Sequence, residues 1–563
     1  MSVCCCCFLL DSRADENSAR AKPLIQLEDV RRSLPGWHTQ LTFLSQVLEL
    51  EEEVHSILLD VRSWANTFSP VNRLPPEILC LIPKFLHHKR SRRSLIRWSQ
   101  VCRYWRNTFV NVPTLWTNFS CKDFARTRAF IERSKSAPIH VRLSSEFCPQ
   151  SFSSLIPHAK RFESLKMDIL ASELFGQWIP TLKKPAPLLE HLIVAAEDTL
   201  YTDDDREAPL PLLFNGELPH LTRLTLEYVS PHPTWFNISN LTTFHLIHTG
   251  SHGGSSSELL RFFERNTGLE EVSVTYHGPF VDNAPSHHIV TLPRLRKLRL
   301  GDCPSKPGIL HHLVLPAGVE VTLKPYIPSP VFGIAADLPL RLQNSPNFLT
   351  GIDRISFAEG NQSSAHFSGP HGTLYIRAPC VGDGDNYNPH DLATRCIYTF
   401  EPLDVSEVTE FLIENYSPMR RNKLESVQDS ALHHCLRSLP KLRTLILVSC
   451  ANATHFQALQ MPDPDKDGFS IVCPGLKHLF IDVSASRHPE MSFPHFPFLD
   501  LLSLAETRAS LGTPLERITL KSAHPLFEDS DLASLLQFVG TVDTPGDDRS
   551  SPDWDSRDWV PLG

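Results

Sequence analysis

The residues with the most obvious chemical potential are four adjacent cysteines, Cys4–Cys7, near the start of the chain. Thiolates bind zinc, but a tetrahedral zinc site needs spacers of the C-x2-C kind between its ligands, and an unbroken run does not provide them. Two interpretations remain: palmitoylation of the cysteines, or an unstructured terminus without chemistry. We favour the second, and we expect residues 1–38 to be disordered.

Paired histidines and one acidic string are the next candidates for a metal site. Adjacent residues of a strand point to opposite faces, so His287-His288 or His433-His434 cannot bring two rings to one metal. The string Gly382–Asn386 resembles part of a calcium loop but lacks the closing glutamate. Phosphate-binding and nucleophile-elbow motifs do not occur either. We therefore predict no catalytic, cofactor-binding or metal-binding residues, and a protein that is not an enzyme.

Composition narrows the class of protein. The chain has 563 residues, of which 41% are hydrophobic and 21% charged, and its net charge is −9. This negative charge gives no electrostatic reason to expect binding to nucleic acid. No apolar stretch reaches the roughly 18 residues that a membrane span requires, so we expect no membrane partner. The remaining cysteines are scattered, as is typical of reduced thiols, and we predict a cytoplasmic and/or nuclear protein.

The first element expected along the chain is an amphipathic, coiled-coil-like helix over residues 39–69. Apolar residues alternate there at steps of four and three, the a/d spacing of a coiled-coil seam. The helix either self-associates or packs against the next domain. We favour packing, because fewer than four heptads form a weak coiled coil. The seam residues are Phe43, Val47, Leu50, Val54, Ile57, Val61, Trp64 and Phe68.

Residues 70–118 predict a small cluster of helices. Pro75 and Pro76 suit the first turn of a helix, and Glu77 suits its positive N-terminal end. Pro83 interrupts the apolar pattern that follows and should kink this helix. So short a segment cannot bury all of its apolar side chains. We therefore expect it to form a docking surface rather than an active site.

Three strings in this segment together resemble an F-box domain: Leu74-Pro75-x-Glu77-Ile78-Leu79, Val101-Cys102-Arg103-x-Trp105-Arg106 and Pro113-x-Leu115-Trp116. The resemblance implies an all-helical domain that binds an acidic Skp-family adaptor and, through it, cullin and RING proteins of a ubiquitin ligase. Carried over position by position, it implies adaptor contacts at Leu74, Pro75, Glu77, Ile78, Leu81, Ile82, Val101, Cys102 and Trp105.

The segment departs from the F-box pattern at Pro83 and at a basic insert, residues 87–94, with the sequence HHKRSRRS. No acidic residue occurs from Ile78 to Lys122, so the local charge is positive. The insert has two interpretations: a nuclear-localisation or nucleic-acid patch, or a solvated loop that steers an acidic protein partner. We favour the second.

From residue 119 to residue 538 the pattern L-x-x-L-x-L recurs, as at Leu221/Leu224/Leu226 and Leu295/Leu298/Leu300. Two copies end with a cysteine, Cys303 and Cys450, which resembles the strand signature of a leucine-rich repeat. Such strands cannot bury their leucines alone, but stacked parallel copies share one core. The signal fades from residue 301 to residue 408, and we expect a loop over residues 359–372.

The predicted fold class is therefore α/β: an N-terminal helix and a small all-helical F-box, followed by an irregular leucine-rich-repeat solenoid with a parallel sheet. A compact α/β domain in which the leucine strings are coincidental is the alternative. Residues 539–563 are rich in Asp, Pro and Ser, and we predict a disordered acidic tail there.

In each leucine-rich strand the residues between the leucines should lie on the opposite face of the sheet. Several of them are basic, which would suit an acidic or phosphorylated target protein. A plain solvated face is the alternative at each single position. The candidate target-binding residues are Arg223, His245, Lys297, Arg299, Thr444, His478, Phe480 and Arg517.

These features together predict the substrate-recognition subunit of a Skp–cullin–F-box ubiquitin ligase, with an F-box that binds the adaptor and repeats that bind an unknown target protein. The order of short helix, F-box and irregular repeats also resembles large fungal families of such proteins. The alternative is a leucine-rich-repeat scaffold outside any ligase, with a decayed F-box.

Overall fold

The structure, a computed structural model, forms two units, which are described separately. One comprises Met1–Thr199 with Pro211–Leu221, and the other Leu200–Leu210 with Thr222–Gly563. The described residues are 38–86, 93–144, 148–170, 181–197, 210–229, 231, 235, 237–249, 255–276, 287–301, 308–324, 350–359, 362–379, 403–415, 428–449, 451, 453–461, 471–483, 496–522 and 528–544.

The first unit begins with helices. Helix α1 contains the predicted seam, and the next helices form the predicted helical cluster. The helices are α1 (His38–Thr67), a 3-10 turn (Pro70–Arg73), α2 (Pro76–Leu86), α3 (Arg93–Trp98), α4 (Arg103–Val110) and a second 3-10 turn (Pro113–Trp116).

Four parallel strands complete the first unit, in the order β1-β2-β3-β4. Helices connect the first three of them, as parallel neighbours require a crossover. The elements are β1 (Asn118–Ser120), α5 (Phe124–Ser134), β2 (Ile139–Ser144), α6 (Pro149–Leu155), a 3-10 turn (Ile156–Arg161), β3 (Phe162–Leu170), β4 (His191–Glu197) and a 3-10 turn (Leu213–Gly216).

The second unit is built on a larger sheet. Its strands lie in the order β5-β6-β7-β9-β11-β14-β13-β12-β15-β16-β17-β18-β19, and a separate parallel pair joins β8 to β10. The strands are β5 (Arg223–Glu227), β6 (Thr243–Thr249), β7 (Glu271–Tyr276), β8 (Val290–Thr291), β9 (Lys297–Gly301), β10 (Leu313–Val314), β11 (Val319–Lys324), β12 (Arg354–Glu359), β13 (Gln362–Gly369), β14 (Gly372–Pro379), β15 (Glu410–Asn415), β16 (Thr444–Val448), β17 (His478–Asp482), β18 (Arg517–Lys521) and β19 (Thr541–Asp543).

Helices and short turns lie between the strands of the second unit. Successive helices near the C-terminal end pack on one another, α8 on α9, α9 on α10 and α10 on α11. They are α7 (Ser256–Arg265), a 3-10 turn (Gly308–His312), α8 (Gln428–Arg437), α9 (Ala453–Gln460), α10 (Phe498–Ser510) and α11 (Asp529–Leu535).

Rows of buried apolar side chains run across this sheet because equivalent positions of the leucine patterns are in register. Leu224, Leu298 and their partners form one such row, and a second lies two residues further along each strand. Alternation along each strand leaves the residues between them on the opposite face. The first row is Leu224, Phe244, Val272, Leu298 and Val321.

Buried polar side chains tie successive connections together. Arg508, which is fully buried, donates to the carbonyl oxygens of Val472 and Cys473 ahead of β17, at 3.4 and 2.8 Å. Asn266 accepts from the amide of Leu241 at 3.0 Å and donates to the carbonyl of Ile238 at 2.9 Å. Loop backbone groups inside the fold are thereby satisfied, as buried amides and carbonyls must be.

The expected mixture of N-terminal helices and a large, mostly parallel sheet is confirmed. The expected loop over residues 359–372 is wrong, because β13 (Gln362–Gly369) lies there and pairs antiparallel with β12 and with β14. Its polar sequence hides the alternation of buried Ala365 and Phe367. Gly369 has a steric role, since a Cβ there would lie 2.7 Å from the carbonyl oxygen of Gly351.

Several expectations fall at or beyond the limits of the described residues. The tail expected from residue 539 begins instead with β19 (Thr541–Asp543), which pairs parallel with β18. Residues 545–563, the cysteine run, the string Gly382–Asn386 and the repeat cysteines Cys303 and Cys450 all lie outside the described residues.

Candidate functional site

The helices that follow α1 share an aromatic core. Trp116 is fully buried, and its indole N–H donates to the carbonyl oxygen of Phe109 at 2.8 Å. The Trp116 ring stands edge-on to Phe130 of α5 at 5.0 Å, and the guanidinium of Arg133 lies 4.4 Å from its centroid. This cation–π contact adds to the burial of the indole. The predicted Pro-x-Leu-Trp ending therefore packs between α4 and α5.

Two side chains of α4 fix the chain where it enters α2. The indole N–H of Trp105 donates to Oδ1 of Asn72 at 2.6 Å, and the hydroxyl of Tyr104 donates to the carbonyl oxygen of Leu74 at 2.8 Å. Trp105 is only 9% exposed. Among the predicted adaptor contacts, Trp105 is thus a core residue that positions Leu74 and Pro75. Neither Asn72 nor Tyr104 was singled out from the sequence.

Helix α2 carries apolar side chains on two sides. Leu79 and Cys80 are buried, whereas Ile78 and Leu81 are 46% and 39% exposed. A soluble helix normally has one apolar side, which packs on its own core. The second apolar side of α2 is therefore available to a partner.

Val101 adds to this exposed apolar surface from the link ahead of α4, where it is 56% exposed. Helices α2 and α4 pack against each other. We call Pro75, Ile78, Leu81 and Val101 the docking face. Of the other predicted adaptor contacts, Glu77 is exposed, while Leu74, Ile82 and Cys102 are half-buried.

Pro83 does not end α2. The residue is buried, and the helix continues through it to Leu86. The missing amide of a proline leaves the carbonyl oxygen four residues earlier, that of Leu79, without its usual helical donor. Residues 87–92 of the basic insert lie outside the described residues, and residues 93–94 begin α3.

The sequence segment that carries the docking face is basic. Glu77 is the only acidic residue from residue 71 to residue 122. Arg103 reaches outside the segment to Asp60 of α1, with Nη1 and Oδ1 2.7 Å apart. The apolar docking face and its basic surroundings favour a partner surface that is both apolar and acidic.

The eight predicted target-binding residues all lie on strands of the second unit, each next to a buried residue of its strand. Those of β5, β6 and β9 fall in two adjoining rows across the sheet. The rows are Arg223, Thr243, Glu271, Lys297 and Glu320, and Thr225, His245, Ser273, Arg299 and Thr322.

The structure does not bring all eight residues together. Arg223, His245, Lys297 and Arg299 form an N-terminal cluster. Thr444, His478, Phe480 and Arg517 form a C-terminal cluster on β16, β17 and β18. Six strand-to-strand steps separate β9 from β16, which at about 4.8 Å a step is roughly 29 Å. One small ligand could not contact both clusters, whereas an extended protein surface could.

Titratable groups in and between these clusters are partly desolvated. Burial lowers the pKa of His245, which Glu271 partly offsets, and burial also lowers the pKa of His366 on β13. Burial raises the pKa of Glu410 on β15, although Arg354 lies 3.7 Å away. The sequence patterns had not singled out Glu410 or His366, yet His366 lies between buried Ala365 and Phe367, and Glu410 lies next to buried Phe411.

The described residues contain no group of three or more His, Cys, Asp or Glu side chains arranged to hold a metal ion. Nor does any helix in the described part of the chain have the length and apolar character needed to cross a membrane.

Comparison with known proteins adds one assignment. No curated protein matches this chain. Residues 71–122, which span α2, α3, α4 and the docking face, match the family model of F-box-like domains, so the chain contains an F-box-like domain.

Proposed function

We propose that this protein is the substrate-recognition subunit of a Skp–cullin–F-box ubiquitin ligase. The observation that carries the proposal is the F-box-like domain at residues 71–122, whose docking face leaves Ile78, Leu81 and Val101 exposed. Apolar side chains at the centre of an interface, with charge around them, are the usual arrangement for a stable protein partner. The partner proposed is an acidic Skp-family adaptor, and through it cullin and RING proteins.

We also propose that the second unit is an irregular leucine-rich-repeat array. Support comes from the in-register leucine rows and from buried polar groups that each reach back by about one repeat. The side-chain amide of Asn266 donates to a carbonyl 28 residues earlier, the guanidinium of Arg508 to one 35 residues earlier, and the Cys473 thiol to one 37 residues earlier. Stacked repeats contact only their neighbours, so hydrogen bonds between them recur at a sequence separation of about one repeat.

The target protein would bind the polar face of this array. The N- and C-terminal clusters are too far apart for a small molecule, but a standard protein interface of about 800 Å² per partner covers that span. The chain would then accelerate ubiquitin transfer by holding the target near a charged conjugating enzyme, without contributing a catalytic side chain. It would not itself be an enzyme.

The proposal is tested by adaptor binding to the full-length chain. Wild-type protein should bind a purified Skp-family adaptor, and Ile78→Asp should weaken binding at least about 100-fold because a charge would be buried in the apolar centre of the interface. Ile289→Asp is the matched control, since Ile289 is 52% exposed in the second unit. Calorimetry on the three proteins measures the affinities.

Two outcomes would overturn the ligase proposal: no adaptor binding by the wild-type chain, or equal affinity of Ile78→Asp and wild type. The first outcome would favour the alternative, a leucine-rich-repeat scaffold with a decayed F-box. That alternative has support in Pro83, which removes one hydrogen bond of α2, and in the basic insert between α2 and α3.

A further inference from the structure

Helix α1 is the largest exposed apolar feature of the described chain. Twenty-four large hydrophobic residues are exposed among the described residues, and eleven of them lie between Leu44 and Phe68. Single exposed apolar residues are ordinary, but a concentration of this kind marks an interaction surface. The F-box-like match starts after this helix, at residue 71, so the docking face does not explain it.

Seven of these eleven exposed residues lie on the coiled-coil seam. From Val47 to Phe68 every a and d position is exposed, by between 45% at Val47 and 66% at Trp64. The a positions before Phe68 are Val47, Val54 and Val61, and the d positions between them are Leu50 and Ile57. β-Branched residues at a with leucine at d favour two-stranded coils.

The neighbouring helices leave this seam open. Helix α1 contacts the rest of the first unit near its C-terminal end, through Asp60 with Arg103 and through the carbonyl of Asn66, which accepts from Nδ2 of Asn72 at 2.6 Å. Trp64 and Val61 remain 66% and 54% exposed beside these contacts. From the sequence we favoured packing of this helix against the next domain. The structure instead leaves the seam exposed.

The charges beside the seam distinguish between the two directions of pairing. In a parallel, in-register pair, each g position faces the e position five residues on in the other chain, so Glu53 would meet Leu58 and Asp60 would meet Ala65. In an antiparallel pair centred on the seam, g faces g, and Glu53 would meet Asp60 twice. Like charges held opposite each other are destabilising. Of these two arrangements, only the parallel one avoids acid–acid contacts.

We infer that α1 pairs with α1 of a second copy of this chain as a parallel, in-register, two-stranded coiled coil. The inference is independent of the adaptor proposal. Both chains leave such a coil at the same end, directly into the 3-10 turn Pro70–Arg73 and α2. The dimer would therefore carry its two F-box-like domains at one end of the coil, and any adaptor would bind to it twice.

The mass of the full-length protein in solution tests the pairing. Light scattering and sedimentation should give two chains for the wild type in the micromolar range. Leu50→Lys, at a d position, should raise the dimer dissociation constant about 100-fold or more, because each dimer loses two buried leucines. Leu48→Lys is the control, because Leu48 is about as exposed as Leu50 (59% and 64%). Unlike Leu50, it lies at a b position, outside the seam. It should leave the mass unchanged.

The direction of pairing has its own readout. Residues at equivalent a positions are within disulfide reach only in a parallel, in-register pair. Val54→Cys should therefore form a covalent dimer under mild oxidation, whereas Leu48→Cys should form no more than the wild type does through its native cysteines.

A wild-type chain that is monomeric at these concentrations would overturn the inference, whatever other protein then binds α1. A dimer that Leu50→Lys and Leu48→Lys affect equally would also overturn it. Failure of Val54→Cys to cross-link in a dimeric protein would overturn the parallel arrangement. None of these results would bear on adaptor binding, which is measured separately with Ile78→Asp.

Discussion

The F-box-like domain and the sheet of the second unit distribute their apolar residues in opposite ways. Helix α2 has buried Leu79 on one side and exposed Ile78 and Leu81 on another. In strands such as β9 the apolar residues all lie on the buried face, and Lys297 and Arg299 occupy the other. If both proposed partners bind, the adaptor would be held mainly by apolar burial at the helices, and the target by charge and hydrogen bonds at the sheet.

The two clusters on the sheet differ from each other as well. In the C-terminal cluster, Arg517 is paired with Asp543, and nearby Lys521 lies 3.3 Å from Asp482. In the N-terminal cluster, Lys297 and Arg299 form no ion pair with another described residue. Cations without an ion pair can accept an acidic partner without first losing one, so of the two clusters the N-terminal one fits the proposed acidic target better.

The largest expected effect tests the division of β9 into a buried and a polar face. Leu298→Ala should destabilise the second unit by about 2–5 kcal/mol, since Leu298 is fully buried. Arg299→Ala, one residue along, should change stability by less than about 0.5 kcal/mol. Hydrogen exchange of peptides covering β7, β9 and β11 measures both. Equal losses would show that the two faces of β9 are not energetically distinct.

The next effect concerns a buried histidine of the second unit. Burial lowers the pKa of His455, in α9, from 6.5 to about 4. The unfolded chain binds the proton near pH 6.5 while the folded chain stays neutral until about pH 4. The contribution of neutral, buried His455 to the free energy of unfolding is therefore present above pH 6.5 and is lost as the pH falls. Between pH 6.5 and 5 the loss should be about 2 kcal/mol.

Urea unfolding followed by circular dichroism at neutral and mildly acidic pH measures this loss. His455→Gln provides the comparison, because glutamine does not titrate, and its unfolding free energy should depend less on pH by about the same 2 kcal/mol. If the pH dependence were unchanged in His455→Gln, the acid sensitivity of the second unit would come from other groups.

A smaller effect is expected at the entry to the docking face. Tyr104→Phe removes the hydrogen bond to the carbonyl of Leu74 and should cost about 1 kcal/mol. Hydrogen exchange in residues 72–86 should rise, and adaptor affinity should fall modestly, because Leu74 and Pro75 would be held less firmly. Unchanged exchange there would mean that Trp105 and Asn72 alone fix this segment.

The smallest effect is expected at the ion pair that joins α1 to α4. Both Asp60 and Arg103 are more than half exposed, so Asp60→Asn should change the stability of the first unit by less than about 1 kcal/mol. The change should vanish at high salt. A larger, salt-independent loss in thermal unfolding would show that α1 depends on this contact rather than on a seam partner.

The sequence predicted best those parts of the fold in which a short pattern determines the surroundings. The pattern Leu221/Leu224/Leu226 ends with a spacing of two, as in a strand, and its leucines are buried in or beside β5. Residues 162–170 and 408–413 behave in the same way, in β3 and β15. Strand β13 was missed because its serines, glutamine and histidine resemble a loop, and only tertiary pairing makes that segment a strand.

At the candidate site, the types of the residues could be predicted from the sequence, but their exposure could not. Ile78 and Trp105 belong to equally plausible apolar strings, yet one is 46% exposed and the other 9%. Only the hydrogen bond between Trp105 and Asn72 shows which of them supports the surface and which forms it. Likewise, no spacing rule indicated that five strands, including the antiparallel meander of β12, β13 and β14, would separate Arg299 from Thr444.

Those three strands affect how the sheet can assemble. Two residues separate β12 from β13, and Pro370 and His371 separate β13 from β14. The parallel strands on either side must close loops of many more residues before they pair, at a greater cost in chain entropy. The strand pairings with the shortest sequence separation in the sheet are therefore at its middle. Topologies rich in local contacts form fastest, so the centre of this array is the natural starting point for growth towards both edges.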